Sequence, residues 1–156
     1  MYKKILVPID GSPTSNLGLN EAIRLAKDQG AKLRLVHLVD EFFVVSDSDV
    51  AIYADDLLED LRQRGRKIIE KAESLARRHG LTPESVMRES FGGRAADFIV
   101  QQANQWKADL IVLGTHGRRG VKRLVMGSDA EQVVRTARVP VLMVRGKAAP
   151  GASRRL

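Results

Sequence analysis

Short apolar runs and amphipathic helical periods alternate along this chain from one end to the other, and few architectures accept that pattern. Residues 3–9 form an apolar run. Ser12 then stands where a helix N-cap belongs and Pro13 where a first helical residue belongs, with Leu19, Ala22, Ile23 and Ala26 recurring at three- and four-residue steps up to Gly30. Residues 32–39 are almost continuously apolar, as a strand covered on both faces must be. After a loop over residues 40–49, Leu57, Leu58, Leu61, Ile68, Ile69, Ala72, Leu75 and Ala76 mark one face of a long helix that ends at Gly80. The pattern predicts a single α/β domain with a parallel sheet between two helical layers.

The second half repeats the scheme. Residues 85–89 are short and weakly apolar, which suits an edge strand. Gly92 and Gly93 lead into a helix with Ala95, Phe98, Ile99, Gln102 and Trp106 on one side. Residues 109–114 are the most apolar strand and run into a glycine-spaced loop, Gly-Thr-His-Gly from Gly114, then nine residues, then Gly127-Ser128. Ser128 with Glu131 three residues on reads as a capping box, and Ala130, Val133, Val134 and Ala137 as the inner face of the last helix. Residues 140–145 close the sheet as an edge strand beginning at Pro140, too apolar to face water and so a candidate dimer surface. The fold is expected to occupy residues 1–146, with residues 147–156 a disordered tail.

Composition narrows the chemistry. The absence of cysteine excludes disulfides, thiolate metal sites and cysteine nucleophiles. His37, His79 and His116 lack paired metal-ligand spacing. No stretch approaches the roughly 20 apolar residues that span a bilayer, and a cytoplasmic protein with no membrane partner is expected. The net charge of +7 invites a nucleic-acid reading, but four of those charges are Arg145, Lys147, Arg154 and Arg155 in the last segment, and only 4% of residues are aromatic. Without aromatics interleaved among the cations there is no stacking platform for a single strand, so no specific nucleic acid is expected.

In an open parallel sheet, ligands bind beyond the carboxyl ends of the strands where strand order reverses. Two segments occupy such ends: Pro8-Ile9-Asp10-Gly11-Ser12 and the loop from Gly114 to Ser128. Glycines let backbone approach a ligand, and a helix N-terminus offers unpaired amides to a phosphate. If the first and fourth strands are neighbours, Asp10 borders the same crevice, where it could accept from a ribose hydroxyl or help hold a cation, or simply start the turn into the first helix. The loop is neither a P-loop nor a dinucleotide fingerprint.

The Gly-x2-Gly-x9-Gly-Ser arrangement, preceded by Leu-Ile-Val-Leu and followed by a helix and Val-Pro-Val-Leu-Met-Val, resembles the ATP-binding type of the universal stress protein family. The opening Lys-Lys-Ile-Leu-Val-Pro-Ile-Asp-Gly-Ser and His37-Leu38-Val39 are similar too, so the resemblance spans nearly the whole chain. It implies a five-stranded parallel sheet in the order 3-2-1-4-5 with four helices on two faces, an adenine nucleotide alpha-hydrolase-like, Rossmann-like fold, and a homodimer through the last strand, residues 139–144.

It also implies a site for ATP, ADP or AMP with magnesium. Pro8, Asp10 and Leu38 would line the adenine and ribose side, Leu38 through its backbone. Gly114 and Gly117 would lie near ribose and phosphate, Gly127, Ser128 and the Asp129 amide on the phosphates, with Arg118 adding positive charge and Asp10 the one protein group for magnesium. Many ATP-binding relatives carry a small or apolar residue where this chain has Asp129. A carboxylate there opposes phosphate unless the side chain faces solvent; Arg118, Arg119, Lys122 and Arg123 could attract phosphate and offset it, or simply keep the loop soluble. The expected function is a nucleotide-dependent stress regulator with at most slow ATP hydrolysis, since no general base is evident. The alternatives are a nucleotide-free interaction module of the same fold and an enzyme of adenylate chemistry, for which residues 40–49 alone remain to build a second pocket.

Overall fold

The computed structural model describes residues 1–40, 54–90, 92–115 and 127–145. Its elements run β1 (Lys4–Pro8), α1 (Pro13–Gln29), β2 (Lys32–Asp40), α2 (Ala54–Arg78), β3 (Glu84–Ser90), α3 (Ala95–Trp106), β4 (Leu110–Gly114), α4 (Ser128–Thr136) and β5 (Val141–Val144). The five strands form one sheet in the order β3-β2-β1-β4-β5, and every pairing is parallel.

The period-two alternation of the strands sorts the core into two layers. Ile5, Val7, Leu33, Leu35, Leu110 and Val112 face α1 and α2, where Leu19, Ala22, Ile23, Ala26, Ile69, Ala72 and Ala76 cover them. Leu6, Val36, Ile111 and Leu113 face the other way, against Phe98, Ile99, Ala103 and Trp106 of α3 and Ala130 and Val133 of α4. Each fully buried aliphatic side chain contributes about 1.5–3 kcal/mol relative to exposure, and the three central strands carry most of them.

The amino-terminal ends of the strands are pinned by polar contacts. Asp109 accepts from the amides of Lys3 at 2.8 Å and Lys4 at 2.9 Å, which sets β1 beside β4. Lys4 Nζ donates to Trp106 O at 3.1 Å, and the Arg34 guanidinium lies 4.7 Å from the Trp106 ring centroid while pairing with Glu84 of β3. That hydrogen bond holds the Glu84 carboxyl below its ordinary value, with help from Trp106 and Lys32 and against the opposing effect of burial.

Two local expectations need correction at the last helix. Ser128 is its first helical residue rather than its N-cap. Gly127 is the N-cap with φ −61° and ψ 144°, no side chain caps it, and the capping box with Glu131 is not formed. The reason is tertiary: the Gly127 amide donates to Thr115 O at 2.9 Å, which fixes Gly127 in extended backbone, so the helix starts one residue earlier than its cap chemistry suggests. Val134, expected inside, is 44% exposed, because this nine-residue helix turns only Ala130 and Val133 fully into the core.

Candidate functional site

At the carboxyl end of the sheet the chain leaves β1 for one helical layer and β4 for the other, so the space beyond these neighbouring strands is the topological switch point. Two turns border it, one after β1 and one leading into α4.

The turn after β1 is built almost entirely from its own polar side chains. The Ser12 amide donates to Asp10 Oδ1 at 2.9 Å, the Asp10 amide donates to Ser15 Oγ at 3.1 Å, and the Ser15 amide donates to Ser12 Oγ at 3.2 Å. Ser12 is the N-cap of α1 and Gly11 sits at φ 78°, in the left-handed region. Asp10 starts the turn into α1 and is half-buried at the crevice rim.

The turn into α4 is closed by backbone. The Thr115 amide donates to Val144 O at 3.1 Å, and the Thr115 carbonyl accepts from Gly127, so the two ends of the glycine loop are tied together beside β5. The first intrahelical bond of α4 is from the Glu131 amide to Gly127 O at 2.9 Å. Helix geometry leaves the amides of Ser128, Asp129 and Ala130 without intrahelical acceptors, and among the described residues no side-chain oxygen caps the helix. The side chains of Ser128 and Asp129 are exposed. These amides and the helix dipole give the end of the crevice a positive character.

Of the residues singled out from sequence, Pro8 ends β1, Asp10 follows it, Leu38 lies near the end of β2, Gly114 ends β4, and Gly127, Ser128 and Asp129 open α4. All stand at the carboxyl end of the sheet. Leu38 is half-buried, packed on the α3 and α4 side. Gly117 and Arg118, with His116, Arg119, Lys122 and Arg123, lie outside the described residues, as does the tail expected at residues 147–156.

Gly114 has a reason to be glycine that spacing alone could not reveal. A Cβ there would come within 2.6 Å of Thr14 C and 2.9 Å of Ser15 N, inside the first turn of α1. Sequence reasoning also passed over Ser15 and Thr115, both buried, which tie the two turns. The Ser-Pro-Thr-Ser run from Ser12 carries a signal for the first; nothing local marks the second. Among the described residues no group of three His, Cys, Asp or Glu could hold a metal ion, and no helix is long and apolar enough to cross a membrane.

The chain and its fold are similar to known proteins. A family model described as the universal stress protein family matches residues 1–145. Universal stress protein MJ0531 of Methanocaldococcus jannaschii is 35% identical over 145 residues, covering 93% of this chain and 83% of the relative. The solved structure of hypothetical protein MJ0577 superposes with a TM-score of 0.83 at 26% identity, over 96% of this chain and 99% of that one. A universal stress protein crystallised in complex with cAMP superposes with a TM-score of 0.67 at 26% identity, over 92% and 97% of the two chains.

Proposed function

The chain belongs to the universal stress protein family, and from that premise we propose that it is a cytoplasmic, dimeric regulator that binds ATP at the switch point between β1 and β4. The observation that carries the reading is the start of α4, where the Gly127 amide is held by Thr115 O and, among the described residues, no side-chain hydrogen bond caps the first helical amides. An anion supplies what that helix end lacks. The relative solved with cAMP supports an adenine nucleotide as the class of ligand.

In this reading Pro8 and Leu38 line the adenine and ribose side and Asp10 accepts from a ribose hydroxyl. Gly114 and Gly117 border ribose and phosphate, while Arg118, Gly127, Ser128 and the Asp129 amide take the phosphates. The exposure of Asp129 supports a carboxylate turned to solvent, which leaves its amide usable and removes the conflict with phosphate. Among the described residues no group of carboxylates and histidines could hold a metal ion by itself, so magnesium would enter with the nucleotide, and Asp10 would be the protein group to hold it. The chain supplies binding and orientation but no evident base for water, so hydrolysis is slow at most.

Calorimetry with Mg-ATP tests this. Saturable binding is expected, weakened about tenfold or more in Asp10→Ala, the loss of one hydrogen bond to a charged group. No binding at millimolar ATP would leave the second reading, a nucleotide-free interaction module. Gly114 favours that second reading in one respect, because its glycine is already required by the packing of α1.

A further inference from the structure

We propose that His37 is a positioning residue for the nucleotide site, setting the Asp10 turn through the backbone rather than touching the ligand. This rests on the nucleotide reading above and extends it to a group that reading does not use.

His37 lies on β2 with its imidazole in the layer under α2, only 3% exposed. Its Nδ1 is 2.7 Å from the carbonyl oxygen of Ile9, the residue between the end of β1 and Asp10. A carbonyl only accepts, so Nδ1 carries the hydrogen and donates. At the same point the Ile9 amide donates to Val36 O at 2.9 Å. Both polar groups of the Ile9 backbone are thus held from β2, one by strand pairing and one by a side chain. Asp10 begins its turn from a fixed origin.

The ring itself has little room to move. Gly65 of α2 sits against it, and a Cβ at that position would come within 3.1 Å of His37 Cδ2, 2.9 Å of Val39 Cγ2 and 3.1 Å of Met87 Sδ. A glycine in the interior of a 25-residue helix weakens the helix, and here its benefit is to let helix backbone close over the imidazole. Helix α2, the imidazole, Ile9 and Asp10 form one contiguous stack that ends at the crevice. Leu38, the next residue, turns to the opposite face. One dipeptide therefore positions the turn with its histidine and borders the ligand with its leucine.

The test compares three substitutions with the intact protein, using Mg-ATP calorimetry well below the melting temperature and amide hydrogen exchange at Asp10, Gly11 and Ser12 without nucleotide. His37→Asn retains a donor near the Nδ1 position, His37→Gln carries its amide one bond further out, and His37→Leu has none. We expect ATP affinity to fall about tenfold in His37→Leu and His37→Gln, the net worth of one hydrogen bond, and to stay within about twofold of wild type in His37→Asn. Exchange at the three amides should speed up in the same two variants.

A histidine that serves packing alone would lower the melting temperature in all three variants and leave affinity and exchange unchanged, which overturns the proposal. If His37→Leu does not fold, the Asn and Gln pair carries the comparison, and equal behaviour of the two overturns it as well. Should the wild-type protein bind no ATP, the nucleotide reading fails. The exchange arm still decides whether His37 fixes the Asp10 turn.

Discussion

Gly114 illustrates how one residue can satisfy two demands. The glycine spacing reads as backbone cleared for a phosphate ligand, whereas in the fold the space a Cβ would need is taken by the first turn of α1. Because Thr14 and Ser15 oppose it with backbone atoms, Gly114→Ala cannot be absorbed by a rotamer change. It should lower stability by about 1–3 kcal/mol, the usual cost of overpacking. A thermal melt should drop by roughly 2–4 °C per kcal/mol for a domain of this size. Gly127→Ala should fold normally, since φ −61° suits any residue, so an unchanged melt for Gly114→Ala would contradict the packing argument. Although the part of Ser15 was passed over, the Ser12 cap of the Asp10 turn was readable from residue type, because such hydrogen bonds are local. The role of Gly114 was not, because its partner lies a hundred residues away.

The elements themselves were largely legible, for the apolar period of each segment matches the layer it enters. Where expectation and structure part, at the start of α4 and at Val134, a contact from outside the helix decides: Thr115 captures the Gly127 amide and the short helix leaves Val134 outside. The weakly apolar β3 raises a different question, namely what holds it at the edge. Part of the answer is ionic, since Arg34 of β2 pairs with Glu84 and Arg62 of α2 with Glu89, the latter at 3.1 Å. The Glu84 carboxyl is held below its ordinary value of 4.5 chiefly by its hydrogen bond to Arg34. A lowered folded-state value means stability that is present above the ordinary carboxyl range and lost as pH falls through the lowered value. Its side chain is 45% exposed, so the contribution is screened to about 0.2–1 kcal/mol. The melting-temperature gap between wild type and Glu84→Gln should hold steady near neutrality and close in acid; a gap constant down to pH 3 would remove the ion pair from the account.

For the molecule as a whole, the two edges of the sheet are treated differently. The β3 edge carries charge, whereas β5 presents Val141, Leu142, Met143 and Val144, all half-buried, with exposed Val134 on the helix covering the same side as Val141 and Met143. An apolar edge strand invites pairing with a second copy. We expect a dimer in sedimentation and a folded monomer for Val141→Lys, whose charge opposes edge pairing; a wild-type monomer or an undisturbed variant dimer would refute the interface. The alternation of short apolar runs with 3.6-residue helical periods was enough to specify the α/β class and the approximate strand and helix positions, because those patterns are local and any window of the chain displays them. Strand order entered through family resemblance rather than period. The cap of α4, the packing that makes Gly114 obligatory and the grip of His37 on Ile9 depend on atoms far apart in sequence meeting within a few ångströms, and that information exists only once the sheet has assembled.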